Sequence, residues 1–299
     1  MTPVVADLGA AYASCERRAR SHYENFPVAS WLLPRPMRKH VAAVYAFARV
    51  ADDFADEGDL PRVERLRLLG RWQQRLLAAH SGGPQPERVE GEPDDSAAIF
   101  LAVGGTLRQC SLPVDLFADL LDAFRQDVEV SSYADWHELF DYARRSANPV
   151  GRLVLRIAGY RDSRLDEWSD AICTGLQFTN FWQDIDVDAA RGRVYLPRTE
   201  RSLGPAIGRT RDLFAAGRPL CEAVRGRLRY ELRATWLGGM RILDRVDVNR
   251  DLPGDAHKDV PRGRPFVAAG LQRRTTARPV LGLADLPSIA WHTLMWMAR

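Results

Sequence analysis

Apolar residues recur along most of the chain at three- and four-residue spacings, and period-two runs of Val, Ile and Thr are nearly absent. That spacing gives each segment one apolar face, so the pattern predicts an all-α protein. Helices are expected at 8–22, 36–57, 62–80, 95–110, 114–128, 135–158, 164–190 and 207–246. Pro34 and Pro36 mark the start of the second, and Pro61 and Pro113 open the third and fifth, positions where a missing N–H is tolerated. Pro149 falls inside the sixth pattern and should kink or break it. SGGPQPERVEGEPDD (81–95) reads as a loop, rich in Gly, Pro and charge. One helical domain over 1–247 is the simplest organisation.

From 248 the pattern changes. DLPGDAHKDVPRGRP is polar and breaker-rich, which suits a partly flexible tail over 248–299. The final LPSIAWHTLMWMAR is apolar and aromatic with a basic end. Two readings of it stay open: a short helix packed on the body, or a segment at a bilayer interface. The Arg-rich 262–278 region would assist on anionic lipid, against the alternative of plain solvation.

Two polar stripes run along otherwise greasy helices. In HVAAVYAFARVADDFADEGD, an advance of ~100° per residue brings Tyr45, Arg49, Asp52 and Asp56 onto one narrow face. Asp52 and Asp56 are i,i+4 neighbours with Cβ atoms ~6 Å apart, and two such carboxylates repel unless a cation sits beside them. In CTGLQFTNFWQDIDVDAARGRVYLP, Gln177, Asn180, Asp184 and Asp188 share a face about 80° wide, and Asp186 points away. A single DxxxD is commonly only a solvated face. Two of them, each among apolar neighbours, would be costly to bury without cations. Mg²⁺ suits this arrangement, since it takes one or two carboxylates plus waters and phosphate oxygens. Arg49, one turn before Asp52, and Arg193 with Tyr195 after the second stripe, are candidates for phosphate oxygens. For Arg193 a surface salt bridge is an equal alternative.

Composition narrows the picture. The chain has 299 residues, 46% hydrophobic and 27% charged, as in an ordinary globular protein. A net charge of +3 is too small to argue for nucleic acid. Cys15, Cys110, Cys173 and Cys221 lie far apart and form no CxxC pair, which favours reduced thiols and a cytoplasmic setting. The first twenty residues lack a basic n-region followed by an apolar h-region, so no signal peptide is expected. No stretch reaches the ~18–20 apolar residues a spanning helix needs. GxGxxG after a strand, GxxxxGK[ST], HExxH and GxSxG are all missing.

With these motifs in hand, the sequence resembles the squalene/phytoene synthase family over most of 20–245. YAFARVADDFAD (45–56) and QFTNFWQDIDVDAARGRVYLP (177–197) carry the resemblance, the latter through NxxxDxxxD followed by RxYLP. The family implies a single helical bundle of the isoprenoid synthase type with a central cavity. It further implies that Asp52 and Asp56 face Asn180, Asp184 and Asp188 across the cavity mouth and hold Mg²⁺. HYENFPVASWLLP (22–34) keeps His22 and Phe26 but has Tyr23 and Asn25 where condensing members carry hydroxyl residues. YARRSANPVGRL (142–153) has Asn148 and Pro149 where phytoene synthases read Ala-Gly-x-Val-Gly. Both features resemble the bacterial hydroxysqualene-forming branch.

The implied chemistry is ionisation of presqualene diphosphate by Mg²⁺, with Asp52, Asp56, Asp184, Asp188 and Arg49 in catalysis. His22, Tyr45, Tyr142, Gln177, Arg193 and Tyr195 would contact the substrate. Phe47, Phe178, Phe181 and Tyr142 are candidate aromatic faces for a carbocation. The implied partners are the prenyl diphosphate, a transient membrane surface at the inner face of the plasma membrane, and neighbouring squalene-pathway enzymes. Two alternatives stay open: a head-to-head condensing synthase using the same stripes, and a non-catalytic helical assembly factor. The latter would show eroded acidic stripes, and these are intact.

Overall fold

In the computed structural model, residues 7–21, 32–56, 60–250, 281 and 285–296 are described. They form thirteen helices, with a lone bridge between Ser132 and Val194 as the extended pairing among them. The order is α1 (Leu8–Ser21), α2 (Arg35–Asp56), α3 (Arg62–Ser81), α4 (Ser96–Cys110), α5 (Asp115–Glu129), α6 (Trp136–Ser146) and α7 (Asn148–Ile157). There follow α8 (Ser163–Gln183), α9 (Ile185–Ala190), α10 (Leu203–Gly217), α11 (Leu220–Ala223), α12 (Gly226–Arg250) and α13 (Leu286–Met295). The all-α expectation holds.

Three expected helices are divided. The 135–158 segment breaks at Ala147, and Pro149 sits in the first turn of α7, where its missing N–H leaves no bond unmade. The 164–190 segment breaks at Asp184, which leaves helical dihedrals at φ −104° and ψ 13°. The 207–246 segment is three helices, because Pro219 removes a donor and Gly226 takes φ 64°. Local chemistry explains several starts. Asp135 Oδ1 accepts from Glu138 N at 3.0 Å, and Glu138 returns a carboxylate to Ala134 N at 2.7 Å.

Helices α1 to α5 surround a core of Phe47, Trp72, Phe100 and Phe117. The Trp72 indole donates to the Phe47 carbonyl at 3.1 Å, so this large side chain is buried without an orphaned donor. A second core, of Phe178, Phe181, Trp182 and Phe214, lies among α6, α8, α10 and α12. A third joins the start of α2 to α7, α8 and α11 through Met37, Val41, Leu155, Leu165 and Leu220. Asn148 is 8% exposed and accepts from Thr174 Oγ1 at 2.9 Å, which pins α7 to α8.

At the same contact, a methyl group on Gly151 would collide with Ser169 Oγ and lie 2.6 Å from Cys173 Sγ. Gly151→Ala is therefore expected to destabilise the fold by ~1–3 kcal/mol through overpacking, as read from urea denaturation.

The loop at 81–95 is less solvated than its composition suggests. Glu92 is 4% exposed and pairs with the buried Arg75 on α3, Nε to Oε2 at 2.9 Å. At the other end of the chain, α13 packs against α12. Trp296 lies 4.9 Å from the Arg233 guanidinium and 5.0 Å from that of Arg218, and donates to Glu222 at 3.1 Å. The described part of this segment is thus a helix packed on the body. Among the described residues no helix is long and apolar enough to cross a membrane.

Candidate functional site

The first stripe occupies the last turns of α2. Phe47, Val50, Ala51 and Phe54 bury one side of the helix. Tyr45, Arg49 and Asp52 remain half-buried on another. Arg49 lies 3.5 Å from Asp52 but only 2.7 Å from Asp53, an i,i+4 neighbour outside the expected stripe. Asp53 is thus an extra acidic partner that stripe geometry alone passed over.

The second stripe crosses the break between α8 and α9. Asp184 N donates to Asn180 O at 2.9 Å and Asp188 N to Asp184 O at 2.8 Å, so the i,i+4 register survives the irregular residue. Asn180 is exposed, Gln177, Asp184 and Asp188 are half-buried, and Asp186 points to solvent as expected. Beyond α9 the chain reverses at Gly192, whose φ of 79° favours glycine. Val194 N then donates to Ser131 O at 2.8 Å, fastening this return segment to the α5–α6 connection. Arg193 is thereby aimed at the end of α2. Its two terminal nitrogens donate to Asp56 Oδ1 and Oδ2 at 2.6 and 2.9 Å, joining the two stripes.

Beneath this junction lies a floor of aromatic rings. Tyr195 stacks on Phe181 with centroids 3.8 Å apart and planes at 5°. Tyr133 and Tyr142 lie 5.9 and 6.3 Å from Tyr195. The Tyr142 hydroxyl donates to Asp127 Oδ2 at 3.0 Å. Asp127, on α5, was not apparent from the sequence. DLLDAFRQDVEV looks like an ordinary amphipathic helix end, and only tertiary packing brings its carboxylate under the stripes.

Burial, with Asp56 and Asp52 nearby, pushes the Asp127 carboxyl up to about 8, against the pull of Tyr142 and Arg193. A carboxyl protonated in the folded state and ionised in the unfolded one makes stability fall as pH rises between these two pKa values. Metal-free protein is therefore expected to lose stability from pH 5.5 to 8. Asp127→Asn should flatten that slope in denaturation curves recorded with a chelator.

The remaining candidates divide. Phe47 packs in the first core against Phe100 and Phe117, so it is a core ring and does not face the stripes. Phe178 is enclosed by Trp136, Phe140 and Trp182. Of the proposed cation-facing aromatics, Phe181 and Tyr142 adjoin the junction. His22 lies outside the described residues. An open cavity of about 420 Å³ lined by Gln126, Ser132, Tyr133 and Arg198 sits beside the floor rather than between the stripes.

Could these residues hold Mg²⁺? Among the described residues no three His, Cys, Asp or Glu side chains converge as a ready cage. Mg²⁺ does not require one, since it keeps waters and accepts substrate phosphates around one or two carboxylates. The charge distribution fits that need. Burial above all, and then the neighbouring Asp184 and Asp56, push the Asp188 carboxyl up to about 6 despite Arg193 and Arg191, and a bound cation would offset both influences. The donors are hard oxygens, the type this ion prefers.

Residues 19–204 match the family described as squalene/phytoene synthase. The chain is 39% identical to a hydroxysqualene synthase of Rhodopseudomonas palustris over 188 residues, 62% of this chain and 59% of that one. It is 30% identical to a phytoene synthase of Mycobacterium tuberculosis over 196 residues, 66% of this chain and 60% of that one. The match thus spans less than two thirds of the length of these curated relatives. The crystal structure of the squalene synthase HpnC from Alicyclobacillus acidocaldarius superposes with a TM-score of 0.73 at 36% identity, covering 84% of this chain and 98% of that one.

Proposed function

The chain belongs to the squalene/phytoene synthase family, and from that premise we propose that it converts presqualene diphosphate to hydroxysqualene in a Mg²⁺-dependent reaction. The observation that carries this reading is the meeting of the two acidic helix ends, joined by Arg193 and Asp56, above a floor of aromatic rings. Likeness to a hydroxysqualene synthase and to a squalene synthase structure supports the choice of branch.

In this proposal Asp52, Asp56, Asn180, Asp184 and Asp188 hold the metal. When bound, Mg²⁺ supplies Lewis-acid charge that favours diphosphate as a leaving group. Arg49 and Arg193 donate to the phosphate oxygens and orient the departing group. Tyr45, Gln177 and His22 complete the substrate contacts. The half-buried Tyr195, backed by the stacked Phe181 and by Tyr142, is the floor ring placed to meet the cationic carbon skeleton, worth ~0.5–2 kcal/mol, and the floor keeps stray water away while it rearranges. A water then adds to the cation and loses a proton, giving the alcohol.

The helical domain 1–247 carries this chemistry. A cytoplasmic enzyme with transient contact to the inner membrane face, and with neighbouring squalene-pathway enzymes, would suit so apolar a product.

Phytoene synthase likeness keeps head-to-head condensation as the second reading. Purified protein with Mg²⁺ and no NADPH would be given presqualene, farnesyl or geranylgeranyl diphosphate, and the extracted lipids weighed by mass spectrometry. Hydroxysqualene from the first substrate supports the proposal. Coupled C30 or C40 products from the others, with presqualene diphosphate untouched, would move the chain to the condensing branch.

A further inference from the structure

Resting on the reading that Asp56 is a metal ligand, we propose that Arg193 is a transferable clamp that makes divalent metal and diphosphate bind cooperatively. It holds Asp56 while the metal is absent and passes to the diphosphate when both arrive.

The geometry is specific. Both oxygens of Asp56 are engaged by the two terminal nitrogens of Arg193, at 2.6 and 2.9 Å. The side chains are 18% and 29% exposed, so water competes only partly for the pair. A cation binding at Asp56 has to take the same oxygens and also meets the positive guanidinium. Both effects weaken metal binding when metal comes alone. A diphosphate changes this, because its oxygens match the guanidinium fork as well as a carboxylate does.

The backbone is arranged for such a transfer. Arg193 N donates to Asp188 O at 2.8 Å, and Val194 is held by Ser131, so the main chain stays beside the second stripe while the side chain reorients. Asp188 itself lies in the field of both Arg193 and Asp56. Arg49 offers a contrast. It binds Asp53 at 2.7 Å and stands 3.5 Å from Asp52, so its partner is largely outside the proposed ligand set. Metal at Asp56 competes with Arg193 for both carboxylate oxygens, whereas the Arg49 guanidinium makes its 2.7 Å contact to Asp53 and stands 3.5 Å from Asp52.

Linkage makes the coupling reciprocal: metal raises diphosphate affinity by the factor by which diphosphate raises metal affinity, typically ~5–150-fold. Removing the clamp should therefore move the two ligands in opposite directions. Full-length Arg193→Gln is compared with the unaltered protein in two titrations: Mn²⁺ alone by electron paramagnetic resonance, and inorganic pyrophosphate in saturating Mg²⁺ by calorimetry. We expect Arg193→Gln to bind Mn²⁺ alone about tenfold more tightly and pyrophosphate about tenfold more weakly. General loosening of the site would weaken both. Arg198→Gln, which removes a neighbouring cation bonded to Ser132, should change neither. An Mn²⁺ affinity unchanged or lowered in Arg193→Gln would overturn the clamp while leaving the metal site standing. If the unaltered protein binds no pyrophosphate even with Mg²⁺, the metal-site reading fails with it.

Discussion

Asp52→Asn and Asp184→Asn should each lower Mg²⁺-dependent turnover of presqualene diphosphate at least ~100-fold while leaving the fold intact. Charge stabilisation by a bound metal is worth several kcal/mol, and each 1.36 kcal/mol is tenfold in rate. Asparagine keeps the size and one oxygen of the ligand but removes its charge. Stability should barely change, for a reason visible in the structure. The Asp52 side chain is 39% exposed and its ion pair with Arg49 is long, at 3.5 Å, a pairing of the kind that contributes little. Asp184 caps α8 through its backbone, which asparagine preserves. Single-turnover assays and thermal melts together decide the matter. A variant that keeps half its activity would remove that carboxylate from the proposed ligand set.

Glu92→Ala is expected to destabilise the protein by ~3–5 kcal/mol, the largest loss foreseen away from the site. Arg75 and Glu92 have side chains 2% and 0% exposed, with Nε and Oε2 2.9 Å apart. Removing one partner leaves the other charge buried and uncompensated, which is far costlier than losing the attraction itself. Arg75 also lies 5.7 Å from the Phe100 ring centroid, so it cannot leave without disturbing the first core. An apolar pair, Arg75→Met with Glu92→Leu, should recover most of the loss or exceed the parent, since neither charge then needs solvation. Urea denaturation of the single and double variants gives both values. A Glu92→Ala cost below ~1 kcal/mol would mean that water reaches Arg75.

Helical periodicity in the sequence suffices for the fold class, and composition with spacing suffices for both acidic stripes. These features are local: i,i+4 neighbours on α2 are neighbours whatever the rest of the chain does. Helix boundaries were less legible where a polar residue competes with the helix. Asp184 looked like a stripe member within 164–190 and proves also to end α8. Pairings across the chain were not legible at all. Arg193 was an ambiguous basic residue until Gly192 and the Ser131–Val194 hydrogen bond turned it onto Asp56. Asp127 and Glu92 were hidden for the same reason. One sits on an ordinary amphipathic helix end and the other in a loop rich in Gly, Pro and charge, yet segments remote in sequence half-bury Asp127 and bury Glu92. Phe47 went the other way. Its place on the stripe-bearing helix suggested a cation-facing ring, and the opposite side of that helix buries it among Trp72, Phe100 and Phe117.

The central claim is that carbon–oxygen ionisation of the diphosphate precedes capture by water, and isotope labelling tests it most directly. Presqualene diphosphate would be turned over with Mg²⁺ in water enriched in oxygen-18, and the alcohol product analysed by mass spectrometry. The account predicts hydroxysqualene carrying one oxygen-18 atom. Unlabelled presqualene alcohol would mean that a phosphorus–oxygen bond had broken instead, and would contradict the proposed ionisation.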